Sequence, residues 1–328
     1  MFIQSKIAKS YSLGTTDGDE SWLLPTNPLT ALAITIRCLT AAANVVDTAM
    51  LLALQLLSVQ VRFRGAQIHA LSGDDLMRMT ACMGIYAPKL YNPAIADNSP
   101  RALTLVIPFG RKLFDPAECF PSTQKGESEL YISWDAVTSN YDNITLDIST
   151  IELPDAKPSR FLRMTTMSDT PAATGDKDYD LPRLAPLCGI GVFQTASYPT
   201  NATPTINAIK VLLNSLDTGY TDIDPVTMRA LSPMNAADAL ASDITTQLEN
   251  AAAGYTQNVL STGLHTLTGA DRDFMYLDYD PARDGAHLLG GDKAAEVKLR
   301  INFGATSAIR IIPVELFPPS LLPGRKGA

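Results

Sequence analysis

Two stretches of this 328-residue chain carry the same short words in the same order, about half a chain apart. The first runs from Leu103 to Pro154: an apolar run, Phe114-Asp115-Pro116, then Ser128-Glu129-Leu130-Tyr131-Ile132, then Ile151-Glu152-Leu153-Pro154. The second runs from Phe274 to Pro318: an apolar run, Tyr279-Asp280-Pro281, then Ala295-Glu296-Val297-Lys298-Leu299, then Val314-Glu315-Leu316-Phe317-Pro318. Pro116 and Pro281 lie 165 positions apart, Glu129 and Glu296 167, and Glu152 and Glu315 163. Each word alone occurs by chance. Four words in one order at nearly one offset imply a duplication, and a chain of this length has room for two domains of ordinary size.

The segments of each half read as strands. Leu32–Arg37 and Ser58–Phe63 alternate apolar and polar residues, as half-buried strands do. Further strands are expected at 102–109, 129–134, 143–153, 160–166, 189–195, 205–213, 274–279, 296–303 and 308–316, many rich in Val, Ile, Thr and aromatics. Gly, Pro, Asn and Asp clusters between them supply turns. Helices are few. Ser72–Met83 has a capping serine and early acids, Asp224-Pro225 opens a second, and Ala236–Ala253 is a third. Thr40–Leu57 also has a helical character, and 251–271 reads as a long loop. The division is an N-terminal arm at 1–25, a first domain at 26–157, a second at 158–317 with a long insertion at about 224–271, and a tail at 318–328. Three prolines at Pro318, Pro319 and Pro323 are expected to stop any strand or helix in that tail. The fold class is all-β with a few short helices: two tandem eight-stranded jelly-roll β-sandwiches, a connectivity that protects most sheet edges.

Composition removes several function classes. A net charge of −8 is wrong for a protein that mainly grips nucleic acid. Cys38, Cys82, Cys119 and Cys188 lie far apart, as do His69, His265 and His287, so neither a disulfide framework nor a zinc motif is present. Buried free thiols are expected, suited to a reducing cytoplasm, and histidines that are satisfied or at the surface. Met1–Leu13 lacks the apolar core of a signal peptide, and the apolar run Ala49–Leu57 is too short to span a bilayer. The nucleophile elbow, H-E-x-x-H, Walker A and G-x-G-x-x-G patterns are missing. Gly189-Ile-Gly191 reads as a bulge or a close backbone approach. Asp176, Asp178 and Asp180 are spaced like the start of a calcium loop, but Leu181 and Leu187 occupy its glycine and bidentate-glutamate positions, leaving a solvated turn. Asn143-Ile-Thr145 and Asn201-Ala-Thr203 match the glycosylation sequon, which carries little meaning without a secretory signal. Arg62 and Arg64, and Arg325 and Lys326, could touch nucleic acid or lipid headgroups, against the plainer reading of a solvated edge and tail. No residue is assigned a catalytic, cofactor-binding or metal-binding role, and no cofactor is expected.

Val106-Ile-Pro-Phe-Gly110, Phe120-Pro121 and Ser128–Trp134 in the first half, with Leu277–Pro281 and Ile311–Glu315 in the second, carry a resemblance over roughly residues 26–317. The chain resembles the double jelly-roll major capsid proteins of tailless icosahedral viruses, including lipid-containing bacteriophages and the adenovirus-hexon-like lineage. The resemblance implies a non-enzymatic structural protein. It implies homotrimers forming pseudo-hexagonal blocks that tile an icosahedral virion shell, assembled in the host cytoplasm. Neighbouring trimers, minor capsid proteins such as penton or cement proteins, and an internal membrane are the implied partners, with no sequence-specific nucleic acid. The insertion at 224–271 would be an outward loop. The alternative is a tandem β-sandwich protein that binds or cleaves carbohydrate, with Asp278 and Asp280 on one strand face as paired acids. Only 7% aromatic residues and two tryptophans weigh against it.

Overall fold

The computed structural model describes residues 1–41, 56–84, 90–91, 98–135, 141–194, 205–223, 225, 227–228, 274–291 and 294–324. The first half contains β1 (Ile3–Ser12), β2 (Gly18–Leu23), β3 (Leu29–Thr40), β4 (Leu56–Phe63), β5 (Ala66–Leu71), helix α1 (Gly73–Cys82), β6 (Leu90–Tyr91), β7 (Pro100–Pro108), β8 (Ser128–Trp134) and β9 (Tyr141–Glu152). The second half contains β10 (Phe161–Thr165), β11 (Met167–Asp169), β12 (Gly175–Asp180), β13 (Pro186–Gln194), β14 (Ile206–Leu213), β15 (Leu216–Asp217), β16 (Phe274–Asp278), β17 (Leu289–Gly290), β18 (Val297–Phe303) and β19 (Ile309–Phe317).

The pairing repeats strand for strand. The order β1-β9-β3-β7 in the first half matches β10-β19-β13-β16 in the second, and β2-β8-β4-β5 matches β12-β18-β14-β15. Within each half every one of these pairs is antiparallel. Even the irregularities correspond: β3 slips register against β9 between Leu29 and Ala31, and β13 slips against β19 between Leu187 and Gly189. These are β-bulges at equivalent sites. The registers also correct the spacing of the repeated words. Glu152 and Glu315 are true equivalents, opposite Leu29 and Leu187. Ser128 faces Phe63 as Val297 faces Leu213, so Glu129 corresponds to Lys298 and not to Glu296. Phe109 N–H donates to Thr30 as Tyr279 N–H donates to Cys188. Asp280 therefore corresponds to Gly110 and not to Asp115; the two Asp-Pro words are unrelated in space.

The sheets enclose two cores. One lies between the first pair of sheets and gathers Leu32, Ile34, Val61, Leu130 and Ile148. The other gathers Ile190, Val211, Leu277, Leu299 and Ile311. β8 and β18 alternate buried and half-buried residues along their length, as one-sided strands must. β16 is buried at all five positions and β13 at eight of nine, because their second face packs on the first half's core. Helix α1 enforces this. Ser72 caps it, its hydroxyl accepting from Asp75 N–H at 3.4 Å. All ten of its residues are buried, between β4 and β7 of its own half and β16 of the other.

Both expected arms belong to the folded body. β1 pairs with β9 and β2 with β8. Their polar composition hid them, since an edge strand is held by backbone hydrogen bonds and needs few apolar residues. In the tail, Pro319–Leu321 form a short 3-10 turn and Leu322 is buried in the first core. Expected strand and helix segments fall as read from the sequence where they are described. The helix at 236–253, the loop at 251–271, nearly all of the 224–271 insertion and residues 42–55 lie outside the described residues.

Candidate functional site at the seam between the sandwiches

The two halves join edge to edge. β5 and β10 pair in parallel, with Met164 opposite His69 and Thr165 opposite Ala70, and this pair fuses two four-stranded layers, which with β11 and β17 make one ten-stranded sheet. His69 is buried, not at the surface, and lies beside the Leu162 backbone. Burial first, then the Arg163 charge, against the Leu162 backbone, hold its pKa down at about 3. The neutral ring meets Phe109 edge-on at 5.2 Å.

Charged groups cross the seam on either side of that strand pair. Arg111, 4% exposed, reaches Glu118 in its own loop, with Nε donating at 3.0 and 3.1 Å, and pairs with Asp280 of the second half. Arg160 also binds Glu118, at 2.8 Å. Arg283 binds Asp278 at 3.1 Å and donates to the Met83 carbonyl beyond α1 at 2.7 Å. Three guanidinium groups thus meet three carboxylates. Burial would raise the Glu118 pKa, but hydrogen bonds and charge from Arg111 outweigh it and hold the carboxyl below its ordinary range. At the other side, Arg310 of β19 binds Asp74 at 2.8 Å and Asp75 at 3.1 Å, both in the first turn of α1. Arg310 and Arg78 both lie over the Phe193 ring. Burial, then its neighbour Asp74, raise Asp75 to about 6. Buried ion pairs of this kind add little net stability, but they penalise any other docking of the halves.

The sequence candidates are dispersed over this frame. Asp278 and Asp280 do lie together, but their side chains are 1% and 0% exposed and each is held by an arginine. Asp176, Asp178 and Asp180 lie on strand β12, not on a solvated turn; Arg300 clamps Asp178 at 2.6 and 2.8 Å. Arg62 binds Glu129 and stacks on Tyr131, and Arg64 pairs with Glu127, so neither edge arginine is a free basic patch. All four cysteines are buried. Burial pushes Cys38, Cys119 and Cys188 up to about 12, far from a reactive thiolate. Gly189 and Gly191 are the close approach expected: a Cβ on Gly189 would lie 2.1 Å from the Tyr276 hydroxyl. Asn143 is in β9. His265, Asn201, Arg325 and Lys326 lie outside the described residues. Among the described residues no cluster of His, Cys, Asp and Glu is placed to hold a metal, and no helix is long and apolar enough to cross a membrane. The seam residues Arg111, Glu118, Arg160 and Arg310 carried no spacing signal; the one hint was a charge at Arg111 closing the apolar run Leu103–Phe109.

No family model matches the chain, and no curated protein is significantly similar to it in sequence. Solved structures do match over nearly the whole length. The major capsid protein of STIV, Sulfolobus turreted icosahedral virus, aligns at TM-score 0.67 and 12% identity, covering 97% of both chains. The major capsid protein P2 of bacteriophage PM2 aligns at 0.61 and 9%, covering 97% of this chain and 99% of that one. The PBCV-1 virus capsid aligns at 0.60 and 9%, covering 96% and 93%. With the strand orders above, these alignments identify the fold of this chain as the double jelly roll of viral major capsid proteins.

Proposed function

We propose that this chain is a structural major capsid protein whose homotrimers form pseudo-hexagonal blocks tiling an icosahedral virion shell. The observation that carries the reading is the seam: two like sandwiches are locked into one block by a continuous sheet and buried ion pairs. Six like sandwiches in a trimer suit a hexagonal tile. The fold is shared along nearly the full length with capsid proteins. In this reading the building units meet near residues 157 and 158, β1 and β2 belong to the first unit, and the 224–271 insertion is an outward loop. Neighbouring trimers, penton or cement proteins and an internal membrane are the partners, and the virion, assembled in the host cytoplasm, is the location.

Light scattering coupled to size exclusion tests this directly. A stable particle of three times 35.3 kDa is expected, with each pair burying on the order of 2,000 Å² or more. A monomer that never assembles at high concentration overturns the proposal. The carbohydrate reading loses its chemistry, because Asp278 and Asp280 are committed to Arg283 and Arg111 inside the protein.

A further inference from the structure

One end of the block carries exposed apolar side chains on most of its connections. The registers place the starts of β1, β3, β10 and β13 and the ends of β7, β9 and β19 at that end. β2 reaches it too, running into β3 through residues 24–28 alone. The bridge between Glu118 and Arg160 joins the two halves there. Met1 and Phe2 precede β1, Leu23 ends β2, Phe114 follows β7, Leu184 precedes β13 and Leu321 follows β19. Their exposures run from 42% at Leu321 to 86% at Met1. These side chains rise from five separate connections of both sandwiches, an arrangement that suits a flat partner better than a groove-seeking one.

Phe114 is the centre of the group. It is 48% exposed, and its φ of 66° lies in the left-handed region that bulky side chains avoid. Its N–H donates to Oγ1 of the buried Thr30 at 2.9 Å, which fixes the loop in that strained form. Its ring meets that of Phe2, itself 59% exposed, edge to face at 5.5 Å. Strain that holds two aromatic rings in water does nothing for the core, and strain of this kind collects at contact sites. The charges around the pair match an anionic partner. Lys112 and Lys125 lie in the same connection as Phe114, and Lys157 follows β9; all three are exposed, and none is ion-paired among the described residues. The acids beside them are already engaged. Asp155 pairs with the Met1 amino group at 3.5 Å, Glu127 pairs with Arg64, and Asp115 accepts from the Ala117 N–H at 2.9 Å. Aromatic rings and apolar tips flanked by lysines are the make-up of a surface that lies on lipid, the rings entering the headgroup region and the lysines meeting phosphates.

We propose that this end of the block docks on a lipid bilayer with anionic headgroups, Phe2 and Phe114 entering the interface while Lys112 and Lys157 meet the phosphates. The docking rests on the capsid reading, in which it names the face and the side chains turned to the membrane. The particle mass tests that reading separately.

Flotation of the full chain with phosphatidylcholine vesicles, with and without added phosphatidylglycerol, tests the docking. The chain is expected to rise with the phosphatidylglycerol vesicles and to bind phosphatidylcholine alone about tenfold more weakly. The double variant Lys112→Gln, Lys157→Gln is expected to lose about tenfold on the anionic vesicles. Phe114→Gly is expected to weaken binding about fivefold while keeping or raising Tm, because glycine takes the positive φ without strain and the ring is lost only to the membrane. A wild type that stays at the bottom of the gradient overturns the proposal, as does unchanged binding by both folded variants. Equal binding to phosphatidylcholine alone overturns the part given to the lysines. A trimer that does not float sinks the docking and leaves the capsid reading standing, whereas a monomer that floats sinks the capsid reading alone. A fall in particle mass on Phe114→Gly without vesicles means that a second copy covers the rings, and the lipid proposal fails.

Discussion

The two sandwiches share a strand order and differ in what covers them. In the first, β3 and β7 keep half-exposed positions along one face, and aromatic rings from Phe63 to Phe161 close the core. In the second, β13, β16 and β19 are covered on both faces, because their outer face packs on the first half's core, with α1 against β16. Backbone pairing is indifferent to side chains, so it preserves a topology through divergence. Packing is not, so each half of a duplication adapts to its own neighbours. The β10-β19-β13-β16 layer has become the middle layer of the block, with one core on each side.

That asymmetry can be broken most severely at Arg111. Arg111→Ala leaves Glu118 and Asp280 buried without their shared cation, and is expected to cost about 3–5 kcal/mol in urea unfolding. Splitting of one transition into two would mean that the halves are stable apart, whereas a single shifted transition means that they fold as one block.

The seam also predicts an acid response. His69 binds its proton less readily folded than unfolded, with a folded pKa of about 3 against 6.5. The unfolded state therefore takes up more protons as pH falls below 6.5, and stability drops by about 3 kcal/mol by pH 4 from this group alone. Asp75 acts oppositely: its raised pKa, about 6, lets the fold gain relative stability as pH falls from 6 towards 4. The difference between wild type and His69→Phe across pH 7 to 4 isolates the histidine. Parallel curves for the two proteins would refute the assignment.

The smallest expected effect sharpens the comparison most. Gly189 and Ala31 are equivalent bulge positions, both opposite the last residue of their β7-type strand. Gly189→Ala drives a methyl into Tyr276 and is expected to cost about 1–3 kcal/mol. The reciprocal Ala31→Gly is expected to cost about 0.5–1 kcal/mol, as a loss of backbone restriction in a strand. Equal costs in thermal unfolding would mean that the second sandwich's tighter middle layer has no energetic consequence.

Much of the fold was legible because one-sided strands write their burial into the sequence. Ser58–Phe63 and Ser128–Trp134 alternate, and both are strands at those positions. β1, β2 and β12 were not legible: Gly-Asp-Glu-Ser-Trp-Leu and Gly-Asp-Lys-Asp-Tyr-Asp hold few apolar residues, since a neighbour's backbone orders them. The paired acids Asp278 and Asp280 were visible as a pair but not as part of an ion network. Their partner Arg111 lies 169 positions from Asp280, and no local pattern marks so distant a contact.

The sequence by itself determined that this chain is an all-β protein with room for two domains, because hydrophobic period, turn residues and length are properties read without the fold. The tertiary structure alone decided which repeated residues correspond, which strands are covered twice, and which charges are buried together. Those depend on bulges that shift register by one residue and on a helix from one half inserted against the other. Such effects act between residues far apart in the chain, where sequence spacing has no bearing on distance.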